Sequence, residues 1–224
     1  DAASRCLKVV LSTNDNAPVH YTLDGSEPTL ESPLYTDTLR IDAPVRLRAA
    51  AERGNGVGRI YEGALQFSKA TFHPVELSDN PAPRYTFEGA GKLTDGCLGT
   101  TGYADEIWLG FLSPAFDITV DLEQPETVSE VGLRTNVATG SWIFDARKIA
   151  VSTSADGKTF TPVANLDLPA MESNDTYVKE HRLSFKPTEA RYVRVHIDSE
   201  SSIPEWHPGH GRQGFFFVDE IGIY

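Results

Sequence analysis

Phe116-Asp117-Ile118-Thr119-Val120-Asp121-Leu122 alternates apolar and polar residues without a break. A period of two sets Phe116, Ile118, Val120 and Leu122 on one face and the polar residues on the other, the mark of a half-buried strand. The same alternation returns at Val131 and Leu133, at Ile149 and Val151, and through Tyr192-Val193-Arg194-Val195-His196-Ile197. There Val193, Val195 and Ile197 share the inward face, and Arg194 and His196 the outward one. Ala155-Asp156-Gly157-Lys158 has the Asp-Gly signal of a tight hairpin, joining a strand over 148–153 to one over 159–163. Long stretches of helical period are missing, and Gly, Pro, Asn and Asp clusters punctuate short strands. Roughly eight strands are expected from residue 70 to the end, the size and spacing of a jelly-roll sandwich.

Residues 1–69 read as a smaller β-unit. Val45-Arg46-Leu47-Arg48-Ala49 places Val45, Leu47 and Ala49 on one face and both arginines on the other. Val19-His20-Tyr21-Thr22-Leu23 runs into the Asp24-Gly25 turn, followed by Ser26-Glu27-Pro28-Thr29 and Ser32-Pro33-Leu34-Tyr35. Prolines beside short strands suit an edge-rich immunoglobulin-like or fibronectin-like sandwich. The joint falls near Ser68-Lys69-Ala70-Thr71-Phe72-His73-Pro74. The opening Asp1-Ala2-Ala3 leads at once into strand-like sequence, as in a piece of a longer polypeptide.

Composition narrows the function. The 224 residues carry a formal charge of −12, unevenly placed: 8 basic against 9 acidic side chains in residues 1–69, and 12 against 23 in residues 70–224. Phosphate backbones need clustered Lys and Arg, so a nucleic-acid partner is not expected. The acidic second half suits a cation and neutral ligands. Cys6 and Cys97 fall in different units and read as small hydrophobes rather than a disulfide framework. No apolar run reaches the length of a membrane span.

Two sets of motifs resemble known families. Tyr21-Thr22-Leu23-Asp24-Gly25-Ser26-Glu27-Pro28-Thr29, followed by Ser32-Pro33-Leu34-Tyr35, resembles the small β-domain that follows the catalytic barrel in chitobiases and β-hexosaminidases. Val151–Phe160, Ala190–Ile197 and the closing Val218-Asp219-Glu220-Ile221 resemble the discoidin-type, or factor V/VIII C-type, domain, whose sugar-binding relatives are the family-32 carbohydrate-binding modules. The likeness implies a spacer at 1–69 and a discoidin-like carbohydrate-binding domain at 70–224. The implied whole is the C-terminal region of a bacterial family-20 glycoside hydrolase of the β-N-acetylhexosaminidase type. Its catalytic barrel would lie upstream, and the enzyme would be periplasmic, cell-surface or secreted. The partner is then a glycan or terminal sugar. The alternative is a purely structural domain packed on the barrel, or one that binds protein.

The family pattern also implies a structural calcium site: Asp95 from an Asp-Gly turn, Thr100 five residues later and Glu220 near the C-terminus, with backbone carbonyls of Leu93 and Cys97. Oxygen-only donors from a loop and a strand suit a hard cation. Cys97 departs from the pattern, where relatives often carry an acid or amide.

Sugar recognition needs an aromatic face for the C–H side of the ring and fixed polar groups for the hydroxyls. Three loops offer them: Thr101–Glu106 with Tyr103, Asn136–Trp142, and Pro204–Arg212 with Trp206, His207, His210 and Arg212. Trp142 and Trp206 stand beside Gly and Pro and are expected at the surface as sugar-contacting rings, with Asn136, His207, His210 and Arg212 as polar readers. Trp108, in the apolar run Ile107–Phe111, reads as core. His207 and His210 do not read as a zinc site, because Pro208, Gly209 and Gly211 deny them a helix to align on. The acidic pairs Asp105-Glu106 and Asp219-Glu220 lack the alternating strand–helix barrel on which a glycosidase Asp-Glu pair works. No catalytic residue is assigned to this chain.

Overall fold

The computed structural model describes residues 6–224; the opening Asp1-Ala2-Ala3 lies outside them. Among the described residues every regular element is a strand or a short 3-10 turn, and the chain divides into two compact units, 1–67 and 68–224.

The first unit contains β1 (Leu7–Val9), β2 (Val19–Thr22), β3 (Leu39–Ile41), β4 (Val45–Arg53) and β5 (Gly56–Leu65). β1 pairs with β3 in one small antiparallel sheet, and β2-β4-β5 form the other. Leu47 and Ala49 are buried as their alternation requires, with Val19, Ile41 and Ala50. Asp24 shapes the turn after β2 by accepting from the Ser26 amide at 2.9 Å, while Gly25 takes φ +82°, open to glycine at little cost. Buried His20 ties the unit together: Nε2 meets Glu52 at 2.8 Å and Nδ1 meets the Ser32 carbonyl at 2.7 Å.

The second unit contains β6 (Val75–Leu77), β7 (Leu109–Phe111), β8 (Ala115–Ala138), β9 (Lys148–Ser154), β10 (Thr161–Asp167), β11 (Thr176–Asp198) and β12 (Phe216–Ile223). Two of these are long and serve both layers. The first half of β8 pairs with the second half of β11, flanked by β6 on one side and by β9 and β10 on the other. The second half of β8 pairs with the first half of β11 and with β12, whose other neighbour is β7. The bends have local causes. Glu123 takes φ +65° beside Pro125, and the β8–β11 register slips at Ser184/Thr188 and Ala190/Tyr192, around Pro187. One apolar core fills the space between the layers, drawing on Ile118, Leu133, Val195, Phe216 and Ile221, all but fully enclosed. This is a jelly-roll-like sandwich in which expected short strands run on into each other.

The alternation at 116–122 is met residue by residue: Phe116, Ile118, Val120 and Leu122 are buried and the residues between them half-buried. The Asp-Gly turn after β9 is wider than a two-residue hairpin, because Asp156 accepts from the amides of both Lys158 and Thr159 at 2.9 Å. β10 therefore starts at Thr161.

Candidate functional site

The turn at 93–100 and the last strand do meet. A 3-10 turn, Ala90–Thr94, delivers Asp95 and then Gly96 at φ +77°. Asp95 Oδ1 accepts from the Cys97 amide at 2.8 Å, and Glu220 Oε2 accepts from the Gly96 amide at 3.1 Å. One residue earlier, Asp219 Oδ2 accepts from the Gly99 amide at 2.7 Å. Adjacent strand residues ordinarily face opposite ways. Here the β12–β8 register slips between Val218 and Glu220, and this bulge lets both carboxylates turn to the same loop. Arg134 closes the arrangement by donating to Asp219 and, at 2.7 Å, to the Gly99 carbonyl. Its guanidinium lies 5.5 Å from the ring centre of fully buried Trp108, whose Nε1 donates to the Thr100 carbonyl at 3.0 Å.

Charge is poorly balanced in this corner. Burial holds Glu220 well above the usual carboxylate range, and the Asp95 charge pushes it further. Asp95 is raised by burial, with the Cys97 amide and Lys92 pulling the other way; Lys92 Nζ stands 3.5 Å from it. Burial pushes Asp219 up to about 7 against the Arg134 charge, and its Oδ1 is enclosed without a hydrogen-bond partner. The Cys97 thiol is pushed up to about 12, first by burial, and stays protonated. Two facing carboxylates short of positive charge fit a hard cation in donor chemistry. The fit is confined to Asp95 and Glu220 with backbone oxygens, since among the described residues no three His, Cys, Asp or Glu side chains form a metal cage. Thr100, the third expected side-chain ligand, makes other bonds in this structure. Its hydroxyl donates to Asp105 at 3.3 Å and its carbonyl accepts from Trp108 and Asn136.

The expected sugar residues separate by burial. Asn136 is fully buried in β8; its amide donates to the Thr100 carbonyl at 3.2 Å and its Oδ1 is enclosed without a partner. His207 is buried as well. Its Nδ1 accepts from the Gly209 amide at 3.0 Å, so Nε2 carries the hydrogen donated to the Thr139 carbonyl at 2.9 Å. Both are therefore corrected from sugar readers to pins that hold the loops. Trp206 is half-buried, edge-on to His207, and its Nε1 donates to the Met171 carbonyl at 2.7 Å, which takes up its polar handle.

Trp142, Tyr103, His210 and Arg212 keep accessible surface. Trp142 follows the 3-10 turn Thr139–Ser141 in left-handed backbone, φ +67°, and lies so close over Gly209 that a Cβ there would stand 2.7 Å from the ring. Arg212 sits 5.7 Å from the centre of the Trp142 ring. Tyr103 stands edge-on to buried Phe217 at 5.8 Å.

Around Phe217 the structure adds rings that sequence reasoning missed. Half-buried Tyr85 lies 4.8 Å from Phe217 and 5.7 Å from half-buried Phe215, and Arg84 is 5.8 Å from the Tyr85 ring centre. Neither the Tyr85 nor the Tyr103 hydroxyl bonds to another described residue. The Phe215 amide donates to the Trp142 carbonyl at 2.8 Å. Tyr85 and Phe215 thus share one aromatic cluster, and the Phe215 backbone adjoins that of Trp142.

The comparisons agree in type. The chitobiase/β-hexosaminidase C-terminal domain matches residues 4–62, and the F5/8 type C domain matches residues 78–212. No curated protein matches. Among solved structures, chitosan-binding module 1 of a chitosanase/glucanase from Paenibacillus sp. IK-5 is 18% identical, with a TM-score of 0.47 over 71% of this chain and 99% of its own. CpGH89CBM32-5 from Clostridium perfringens, solved with GalNAc-β-1,3-galactose, is 16% identical, with a TM-score of 0.44 over 67% of this chain and 94% of its own. With its jelly-roll-like second unit and a match that spans more than half its length, the chain belongs to the F5/8 type C domain family.

Proposed function

We propose that this chain is the non-catalytic accessory region of a glycoside hydrolase of the β-N-acetylhexosaminidase type. Residues 1–69 serve as spacer, and residues 70–224 bind glycan and keep an upstream catalytic barrel of the same polypeptide near its substrate, outside the bacterial cytoplasm. The observation that carries the reading is the set of half-buried rings at Tyr85, Tyr103, Phe215 and Trp142. Tyr85, Tyr103 and Phe215 stand against buried Phe217 and Trp142 against buried His207, and each ring retains open surface. Stacking on a sugar's C–H face asks for a ring held in place, and the two uncommitted tyrosine hydroxyls supply donors and acceptors for its hydroxyls. Weak contact suffices, because tethering raises the effective concentration of substrate at the barrel.

A calcium ion at Asp95 and Glu220 belongs to the same proposal. Bound there, it would supply the positive charge that buried Glu220 and half-buried Asp95 lack and fasten the 93–100 turn to β12. Calorimetric titration of the full chain against a glycan panel, with calcium present, tests the binding role; no binding to any glycan refutes it. Chelation should lower the unfolding temperature, and an unchanged melt at sub-micromolar free calcium removes the ion from the account.

A further inference from the structure

The second unit holds seven arginines: 84, 134, 147, 182, 191, 194 and 212. Five reach carboxylates, pairing Arg134 with Asp219, Arg147 with Glu200, Arg182 with Glu130 and Glu180, Arg191 with Asp121, and Arg194 with Asp117. The two that reach none among the described residues are Arg84 and Arg212. Both are exposed, and both lie against aromatic rings, Arg84 by Tyr85 and Arg212 by Trp142. In a chain of charge −12 carboxylates are abundant, so the two unpaired guanidinium groups are notable for where they fall. Arg84 lies beside the Tyr85–Phe215 ring pair, and Arg212 beside the Trp142 ring, whose backbone carbonyl takes the Phe215 amide. A ring beneath a guanidinium limits its motion and leaves its fork of N–H donors facing outward, which matches the two oxygens of a carboxylate or a sulfate ester. The acidic background opposes any anionic ligand at long range, so local cations must supply the attraction.

We infer that the glycan bound by the second unit is acidic, with its anionic groups held by Arg212 on Trp142 and Arg84 on Tyr85. This rests on the glycan-binding reading above. The test is titration of the full chain, at constant calcium, with a galacturonate trisaccharide, a neutral galactose trisaccharide and a sulfated galactan oligosaccharide of the same length, alongside a glycan array. Tighter binding of either acidic probe than of the neutral one, weakening as salt rises, supports the inference, and the better acidic probe identifies the group. Arg212→Gln and Arg84→Gln should each lower acidic-probe affinity about tenfold, well beyond any loss for neutral glycans, while leaving the melting temperature unchanged. Equal or tighter binding of the neutral probe, or variants that weaken acidic and neutral ligands alike or neither, overturns it. If the array shows neutral ligands only, this inference alone fails. If it shows none, the glycan-binding reading fails with it.

Discussion

Gly99→Ala tests the junction on which the second unit's site rests. Gly99 is held on both sides: its amide donates to Asp219 and its carbonyl accepts from Arg134. Its φ lies outside the left-handed region, so the backbone itself would accept alanine. Space is the obstacle. An added Cβ would stand 2.3 Å from Trp108 Nε1, 2.5 Å from Cε2 and 2.9 Å from Cζ2, so the ring would have to retreat by about 1 Å to reach ordinary contact. Trp108 is fully buried, hydrogen-bonded to Thr100 and faced by Arg134. Overpacking of this kind costs about 1–3 kcal/mol, and loss of the indole hydrogen bond adds about 1 kcal/mol. We expect about 3 kcal/mol in total, a fall of roughly 6–12 °C in Tm for a unit of this size. All three tryptophans, at 108, 142 and 206, lie in the second unit, so tryptophan fluorescence reads its melting alone. Gly140→Ala is the control, because a Cβ there meets nothing within 4 Å. A Gly99→Ala melt within about 1 °C of the parent would show that Trp108 can move freely and would refute this account of the junction.

Arg134→Met should cost about 3–5 kcal/mol in denaturant unfolding, because it strands buried Asp219 without its counter-ion; a loss below about 1 kcal/mol would show Asp219 satisfied by other means. Tyr85→Phe and Tyr103→Phe should leave stability within about 0.5 kcal/mol, since neither hydroxyl bonds within the described protein, yet lower glycan affinity severalfold in calorimetry. Unchanged affinity in both would remove the hydroxyls from recognition. In the first unit both nitrogens of His20 face acceptors, so the arrangement calls for imidazolium, and the Glu52 carboxylate followed by the Ser32 carbonyl raises its pKa above 6.5. The sign follows from that direction: its stabilisation is fully present below the ordinary histidine value and is lost as pH rises through the raised one. An NMR titration of the His20 ring with a midpoint at or below the ordinary value would contradict this.

The fold was legible because the second unit buries one face of nearly every strand, and that leaves a two-residue period that any reader of the chain can find. Phe116–Leu122 and Val193–Ile197 carry it plainly. Continuity was less legible. Pro125 and Pro187 interrupt the pattern in the middle of β8 and β11, and a proline amid charged residues looks like a strand end. In the structure each is a bend that carries one strand from layer to layer. The two readings differ only in what the far half of the strand pairs with, which is long-range information.

The site shows the same division more sharply. The sequence joins Asp95 to Glu220 because a recurrent family pattern stores that distant contact, whereas Asn136 and His207 read as polar residues on irregular, exposed loops. Their burial depends on partners at Thr100, Thr139 and Gly209, and the more distant of these bonds leave no periodic trace. A buried polar side chain is tolerable only with its hydrogen bonds made. The His207 ring, saturated by two backbone groups, therefore meets the requirement of a structural pin and has no donor or acceptor left to offer a sugar. Tyr85 is hidden in the sequence for the converse reason. Pro81-Ala82-Pro83-Arg84-Tyr85 has no period at all, and its ring gains a role only once Gly110 lets Phe217 approach, a Cβ at Gly110 standing 2.6 Å from that ring. Exposed aromatic surface supported from beneath is a property of packing. The residues that recognise ligand are thus the ones whose neighbours, rather than whose own sequence, decide whether they can.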